Sequence, residues 1–455
     1  MNTPIADFVR EYAARSPIRL HMPGHKGHEF LGCEPLDITE IPGADELYAP
    51  EGIIAESERN ASSLFGTGAT LYSTEGSSQC IRAMVYLAAV NARFMHAQNP
   101  YILAARNAHK TFLYALALTD TDVRWLMPER TESLCACRIT AEHVARALRE
   151  AEHPPIAVYI TSPDYLGNIL PVGEIAAVCH KAGVPLLVDN AHGAYLRFLP
   201  EDRHPITLGA DMCCDSAHKT LPALTGTAYL HISDAAPPLF ASCAREAMSL
   251  FGSTSPSYLM LASLDLCNRF LAQDFRGMLG ARVGQVASAR DALRSAGWHV
   301  SDGEPMKLTI RAPAGTTGTE AADKLMQAGI VCEYADRDYV VLMPSVSTEG
   351  SQLRRLVCAL GPCPAKQTVS RADDCVSACG FPIAQTAMRV RDAVFSPSEL
   401  ISVDEAEDRI CAAPTVSCPP AIPIAVSGEV ITAEHIRLFR YYGLRRVAVV
   451  RNGNK

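Results

Sequence analysis

The feature that most restricts this chain is an alternation between short apolar runs and helix-like segments. The runs YILAA (101–105), IAVYIT (156–161) and VPLLVD (184–189) contain almost no polar residues. Between them lie segments such as AEHVARALREAE and VGEIAAVCHKAG, whose apolar residues recur at helical spacing. Strands without polar alternation are buried on both faces, and strands separated by helices run parallel. The expected fold class is therefore α/β, with a large domain built on a mostly parallel sheet.

The flanking sequence adds smaller pieces. Residues 1–20 read as a short amphipathic helix stopped at Ser16-Pro17, and the chain to residue 52 is punctuated by Gly and Pro. A helical stretch over 256–296 ends at Gly297-Trp298. After it, MKLTIRAP, TEAADKLMQAGI, VCEYADRDYVVLMPS and SQLRRLVCALG read as strand, helix, strand pair and helix, a small α/β domain. The Pro- and polar-rich stretch 361–380 reads as a linker. Beyond it, AIPIAV and RRVAVV surround the helix AEHIRLFRYYG, forming a C-terminal α+β domain. The expected division is an N-terminal arm (1–52), a large domain (53–296), a small domain (297–365) and a C-terminal domain (366–455).

Composition excludes several function classes. Lys plus Arg number 41 against 49 Asp plus Glu, a net charge of −8, so nucleic acid is not the expected partner. No apolar run is long enough to span a bilayer, and MNTPIADFVREYAARSP lacks a signal core, so a cytoplasmic location without membrane contact is expected. The 16 cysteines include Cys135/Cys137, Cys213/Cys214 and Cys375/Cys379, none spaced as a zinc knuckle. They read as reduced thiols, mostly small buried hydrophobes. His21 and His25 are separated by Pro23-Gly24, which rules out a helical ligand pair, so no metal is expected.

In an open parallel sheet, ligands sit beyond the carboxyl ends of the strands. Those ends deliver Arg106 to Lys110, Thr161 to Tyr165, Asp189 to Gly193, and Asp215 to Thr220. Lys219, followed by the mostly apolar TLPALTG, is the first candidate. Burial lowers the pKa of a lysine and supplies the free amine that condenses with a carbonyl. Alone, a loop lysine is more often a solvated charge. Asp189 at a neighbouring strand end changes the reading, because Lys and Asp together suit pyridoxal phosphate. Gly76, Ser77 and Ser78, just before the helix-like CIRAMVYLAAVNARF, offer a turn and helix-terminal donors for an anion. An ordinary serine cap would look the same. His109 could stack on a flat cofactor, or be a polar loop histidine.

Taken together, the segments HMPGHKG (21–27), DITEIPGADELYAPEG (37–52), TLYSTEGSSQCIRAM (70–84), RNAHKT (106–111), TSPDYLG (161–167), VDNAHGAYLRF (188–198), SAHKTLPALTG (216–226) and STSPSYLMLASLD (253–265) resemble the ornithine/lysine/arginine decarboxylase family. The tail DEAEDRICAAPTVSCPPAIPIAVSGEVI (404–431) looks like that family's C-terminal domain. The resemblance implies pyridoxal-phosphate chemistry on the aspartate-aminotransferase fold. It implies that Lys219 carries the cofactor, Asp189 contacts the pyridine nitrogen, His109 stacks on the ring and His192 lies near it. Ser77, Ser78, Ser216 and His218 would hold the phosphate. Ser255 would reach a cofactor across a dimer interface, so a homodimer or higher homo-oligomer with shared sites is implied. With HMPGHKG at position 21, the chain resembles the family's short form.

The implied reaction is decarboxylation of a basic amino acid, arginine or lysine before ornithine, in polyamine metabolism. Lys219 or His218 would return a proton to Cα. Asp45, Glu46, Asp164 or Glu429 could face the substrate's cationic end. Glu75, Asn190 and Ala421 depart from the family's usual Asn, Glu and Gly. An aminotransferase or another lyase on the same fold is the alternative reading. A non-enzymatic paralogue is disfavoured by the intact Lys219 and Asp189.

Overall fold

The computed structural model describes residues 1–129, 131, 133–364, 380–382, 384–416 and 421–451. The Cys375/Cys379 pair and most of the linker stretch 361–380 lie outside the described residues.

The large sheet has seven strands: β1 (Ala69–Ser73), β2 (Tyr101–Ala105), β3 (Asp122–Leu126), β4 (Ala157–Thr161), β5 (Leu186–Asp189), β6 (Met212–Asp215) and β7 (Ala228–Ile232), in the order β1-β7-β6-β5-β4-β2-β3. The pairs β2–β3 and β5–β6 are parallel, while β7 runs antiparallel to both β1 and β6. Every residue of β2, β5, β6 and β7 is buried, as continuous apolar strands require. The expected α/β class with a mostly parallel sheet is what the fold shows.

The chain forms two compact units: Met1–Pro100 with Glu152–Ile160 and Val172–Gly277, and Tyr101–Ala151 with Thr161–Pro171 and Met278–Lys455. In the first, the helix Ser77–Phe94 buries Cys80, Ile81, Met84, Val85 and Leu87. Phe65 is fully buried against the rings of Phe198, His204, Tyr229 and His231. The N-terminal helix runs over Pro4–Ala14, and Asp265 accepts from the amides of Ile5 and Ala6 at 2.9 and 3.0 Å. The continuous helix expected over 256–296 is instead two helices, Tyr258–Leu271 and Phe275–Ser295. Asp274, a residue type favoured just before a helix, stands at the start of the second.

The second unit contains an antiparallel sheet of β8 (His299–Val300), β9 (Leu308–Arg311), β10 (Tyr334–Ala335) and β11 (Tyr339–Leu342), ordered β10-β11-β9-β8. The helices Gly318–Gln327 and Gly350–Leu360 belong with it. Towards the C-terminus, β12 (Ser398–Ser402) pairs with β15 (Arg446–Val450), and β13 (Thr415–Val416) with β14 (Pro423–Ala425), both antiparallel.

The described cysteines are free thiols. Burial pushes Cys137 and Cys179 up to about 12, which leaves them inert at neutral pH. Among the described residues, no helix is long and apolar enough to cross a membrane.

Candidate active site

In the first unit the ends of β5 and β6 bring the expected groups together. Lys219 lies in the short helix Ala217–Thr220 that follows β6, and its Nζ donates to His192 Nε2 at 3.1 Å. His192 is 5% exposed and sits three residues beyond Asp189. The Lys219 side chain as a whole is exposed in the single chain, while its amine sits in a part-buried contact with the nearly buried His192. The TLPALTG run does not cover it: the segment turns outward, with Leu224 52% exposed. The amine is instead held by the imidazole, which can accept and return one proton at Nε2.

Asp189 is buried at the end of β5. Its Oδ1 accepts from the Ala191 amide at 3.2 Å and faces Cys214 Sγ at 3.6 Å, and its Oδ2 accepts from Tyr159 Oη at 3.3 Å. Burial raises the Asp189 carboxyl above its ordinary value, and the Lys219 charge with these donors offsets only part of that. A buried carboxylate in this state gains from a cationic N–H.

The anion-binding expectation has a physical basis. Gly76 precedes the 18-residue helix Ser77–Phe94 with φ +70°, a conformation that favours glycine, and its amide donates to Gly226 O at 2.7 Å. Ser216 Oγ donates to Ser77 Oγ at 2.9 Å, so both hydroxyls meet at the helix N-terminus. Ser78 is the next residue of the same turn. The partial positive charge there favours an anion. His218 Nδ1 donates to Thr227 O at 2.9 Å. Glu75 is exposed, where solvent screens its charge. Ser255 is exposed in the single chain.

Other polar groups carry no motif. Tyr159, inside an apolar strand, reaches Asp189. His204 and His231 donate to one oxygen of Asp215, and Asn190 donates to the other. In the sequence this cluster shows only as polar residues at strand ends and a histidine within the apolar strand AYLHI.

His109 belongs to the second unit. It caps the helix Lys110–Thr119, with its Nδ1 accepting from the Thr111 amide at 3.2 Å. Of the four carboxylates suggested for the substrate's cationic end, three are engaged elsewhere. Asp45 accepts from the amides of Glu46, Glu51, Gly52 and Ile54. Asp164 is 2% exposed and accepts from Leu166 and Asn168. Glu429 is buried against Arg106. Glu46 is exposed.

The residues of the first unit fit pyridoxal phosphate: a reachable amine, a buried carboxylate suited to a ring N–H, and paired hydroxyls at a helix N-terminus. The chain is 29% identical to the arginine decarboxylase of Bacillus subtilis, over 95% of this chain and 92% of that one. It is 25% identical to the lysine decarboxylase LdcA of Pseudomonas aeruginosa, over 57% of this chain and 39% of that one. Among solved structures, the Francisella novicida lysine decarboxylase LdcF superposes with a TM-score of 0.82 at 17% identity, covering 99% of this chain and 81% of that chain. The serine palmitoyltransferase of Sphingomonas wittichii superposes with a TM-score of 0.56 at 15% identity, over 77% and 82% of the two chains. Residues 3–310 match the Orn/Lys/Arg decarboxylase major domain and residues 378–448 that family's C-terminal domain. The chain therefore belongs to the Orn/Lys/Arg decarboxylase family and is a decarboxylase.

Proposed function

We propose that this enzyme releases CO₂ from arginine, with pyridoxal phosphate carried on Lys219, and that lysine and ornithine are poorer substrates. The observation that carries the reading is the Lys219–His192 contact at 3.1 Å, one strand away from the buried Asp189. Arginine is preferred because relatives aligned along nearly the whole chain include several arginine decarboxylases. The amine product would enter polyamine metabolism.

When bound, the cofactor supplies an electron sink for the pair left behind by the departing carboxylate. The chain's own residues do the rest. Asp189 would hold a proton at the ring nitrogen, its raised carboxyl gaining a cationic N–H partner. His192 Nε2 can relieve Lys219 Nζ of a proton, leaving the neutral amine that would hold the cofactor. Ser77, Ser78 and Ser216 bind the phosphate, with His218 beside them, and fix the ring against rotation. For His109 the resemblance alone implies a place on the ring; in the structure it caps the helix Lys110–Thr119. Lys219 Nζ or His218 Nε2 delivers the proton that replaces the lost carboxylate. Ser255 completes the site of a second subunit in a homodimer.

The test is CO₂ release and amine formation from arginine, lysine and ornithine, with and without added pyridoxal phosphate. Cofactor-dependent CO₂ from arginine at the highest kcat/KM is expected. Keto-acid formation without CO₂ would show an aminotransferase instead, and a protein that binds no pyridoxal phosphate would end the cofactor reading.

A further inference from the structure

Beneath the proposed cofactor site lies a group of fully buried polar side chains that the reaction does not use. The β5–β6 ladder ends at the pair Asp189–Cys214. Beyond it, two strand ends must stay at a fixed spacing: one has just delivered Asp189, the other continues into Ser216 and Lys219. Two bonds from Asn190 hold them. Its amide donates to Cys214 O at 3.0 Å, and its side-chain Nδ2 donates to Asp215 Oδ1 at 2.6 Å.

Asp215 is anchored from behind. Its Oδ2 accepts from His204 Nε2 at 3.0 Å and from His231 Nε2 at 3.3 Å. His231 is fixed in turn by Thr70 Oγ1 at 2.8 Å from its Nδ1. Asn190, His204, Asp215 and His231 are all 0% exposed. In so dry a setting each bond is stiff, and loss of a partner is costly. Among the described residues Asn190 Oδ1 and His204 Nδ1 have no hydrogen-bond partner. A core built for stability alone would do better with apolar side chains.

We propose that Asn190 and Asp215 are positioning residues: their hydrogen bond, backed by His204 and His231, fixes the spacing between the strand end carrying Asp189 and the one carrying Ser216 and Lys219. The proposal rests on the cofactor reading above. His204, Asp215 and His231 also lie close enough together for a metal ion. Yet both imidazole donors aim at a single oxygen while Asn190 takes the other, which is the pattern of a hydrogen-bonded carboxylate.

The test uses the full-length protein with four variants: N190A, N190D, D215N and the exchange N190D/D215N. The readouts are the dissociation constant for pyridoxal phosphate, the ellipticity of the bound-cofactor band, and kcat and KM, with the melting temperature as a control for folding. N190D sets two carboxylates face to face, and D215N removes the charged acceptor. Each should weaken cofactor binding by about tenfold or more, the usual cost of losing a supporting partner. The exchange variant restores one donor and one acceptor and should recover affinity to within about threefold. N190A, the mildest change, should fold, lose cofactor-band ellipticity and lower kcat more than it raises KM.

Folded N190A with wild-type affinity and ellipticity would overturn the proposal, as would an exchange variant whose losses equal the product of the single ones. Stoichiometric zinc in the purified protein would overturn it too. A wild type that binds no pyridoxal phosphate defeats the cofactor reading, whereas a wild type and variants that all bind equally defeat the positioning role alone.

Discussion

The Arg106 guanidinium and the Glu429 carboxylate meet at 3.6 Å, with 1% and 7% of their side chains exposed. Arg106 also donates to Pro423 O and Ile424 O at 2.8 and 2.9 Å, and its guanidinium lies over the rings of Trp125 and Phe381 at 5.2 and 5.5 Å. Glu429 accepts in addition from the Val426 amide at 2.8 Å. A carboxylate committed in this way does not serve a substrate cation. Within the second unit, the segment leading to His109 is thus pinned to the 423–429 segment.

Breaking this pair should cost stability rather than substrate recognition. R106M leaves a buried carboxylate without its cation, a change worth about 3–5 kcal/mol. Urea denaturation should show that loss. E429Q should lower the melting temperature while leaving the KM for arginine within about twofold, since 1.4 kcal/mol of binding would be a tenfold change. A large rise in KM at unchanged stability would return Glu429 to the substrate pocket.

Replacing Lys219 by alanine should abolish CO₂ release, because it removes the amine that His192 Nε2 contacts at 3.1 Å. The variant should also fail to retain pyridoxal phosphate through gel filtration after borohydride reduction, whereas the wild type should remain labelled at that lysine. H192A should keep the covalent label but form it more slowly near neutral pH, by about tenfold or more. An H192A protein loaded at the wild-type rate would remove the imidazole from the proton transfer.

Ala421 occupies a left-handed backbone conformation at φ +60°, and its carbonyl accepts from the Lys110 amide at 3.0 Å. An L-residue there costs roughly 1 kcal/mol relative to glycine. A421G should therefore raise stability by about that amount, measured by chemical denaturation, offset in part by the added freedom of the unfolded chain. A loss of 1 kcal/mol or more would mean that the methyl group packs in a way that outweighs the backbone.

Asp164 gives a pH dependence. Burial pushes its carboxyl up to about 6 despite Asn168, Leu166 and the nearby Lys307 charge. The folded state then holds this proton more tightly than the unfolded state does. Its contribution is present below the unfolded pKa of 3.8 and is lost as pH rises through about 6. The loss amounts to about 3 kcal/mol at most. D164N should remove that slope between pH 4 and 7, read as the difference in unfolding free energy at the two ends. An unchanged slope would place the titration elsewhere.

The sheet was legible because its strands are continuous apolar runs, and the site because strand ends collect polar residues whatever the loops do. Asp189, His192 and Lys219 could be placed from that rule together with the resemblance. The outward course of TLPALTG could not, since the segment is apolar in composition yet leaves Leu224 52% exposed in the single chain. The break at 272–274 in the long helix depends on a single acidic cap residue within an otherwise helical pattern. Arg106 and Asp215 were visible only as charges after apolar runs. Their partners lie hundreds of positions away for one and on three separate segments for the other, and no local spacing encodes such contacts.

The Lys219 amine has a consequence for how the protein must be made and kept. A primary amine beside an imidazole that can take its proton is a nucleophile toward other small aldehydes and acyl donors as well. Chains that wait for pyridoxal phosphate are thus exposed to silent loss by glycation or acetylation, and the specific activity of a preparation will record how promptly each chain was loaded.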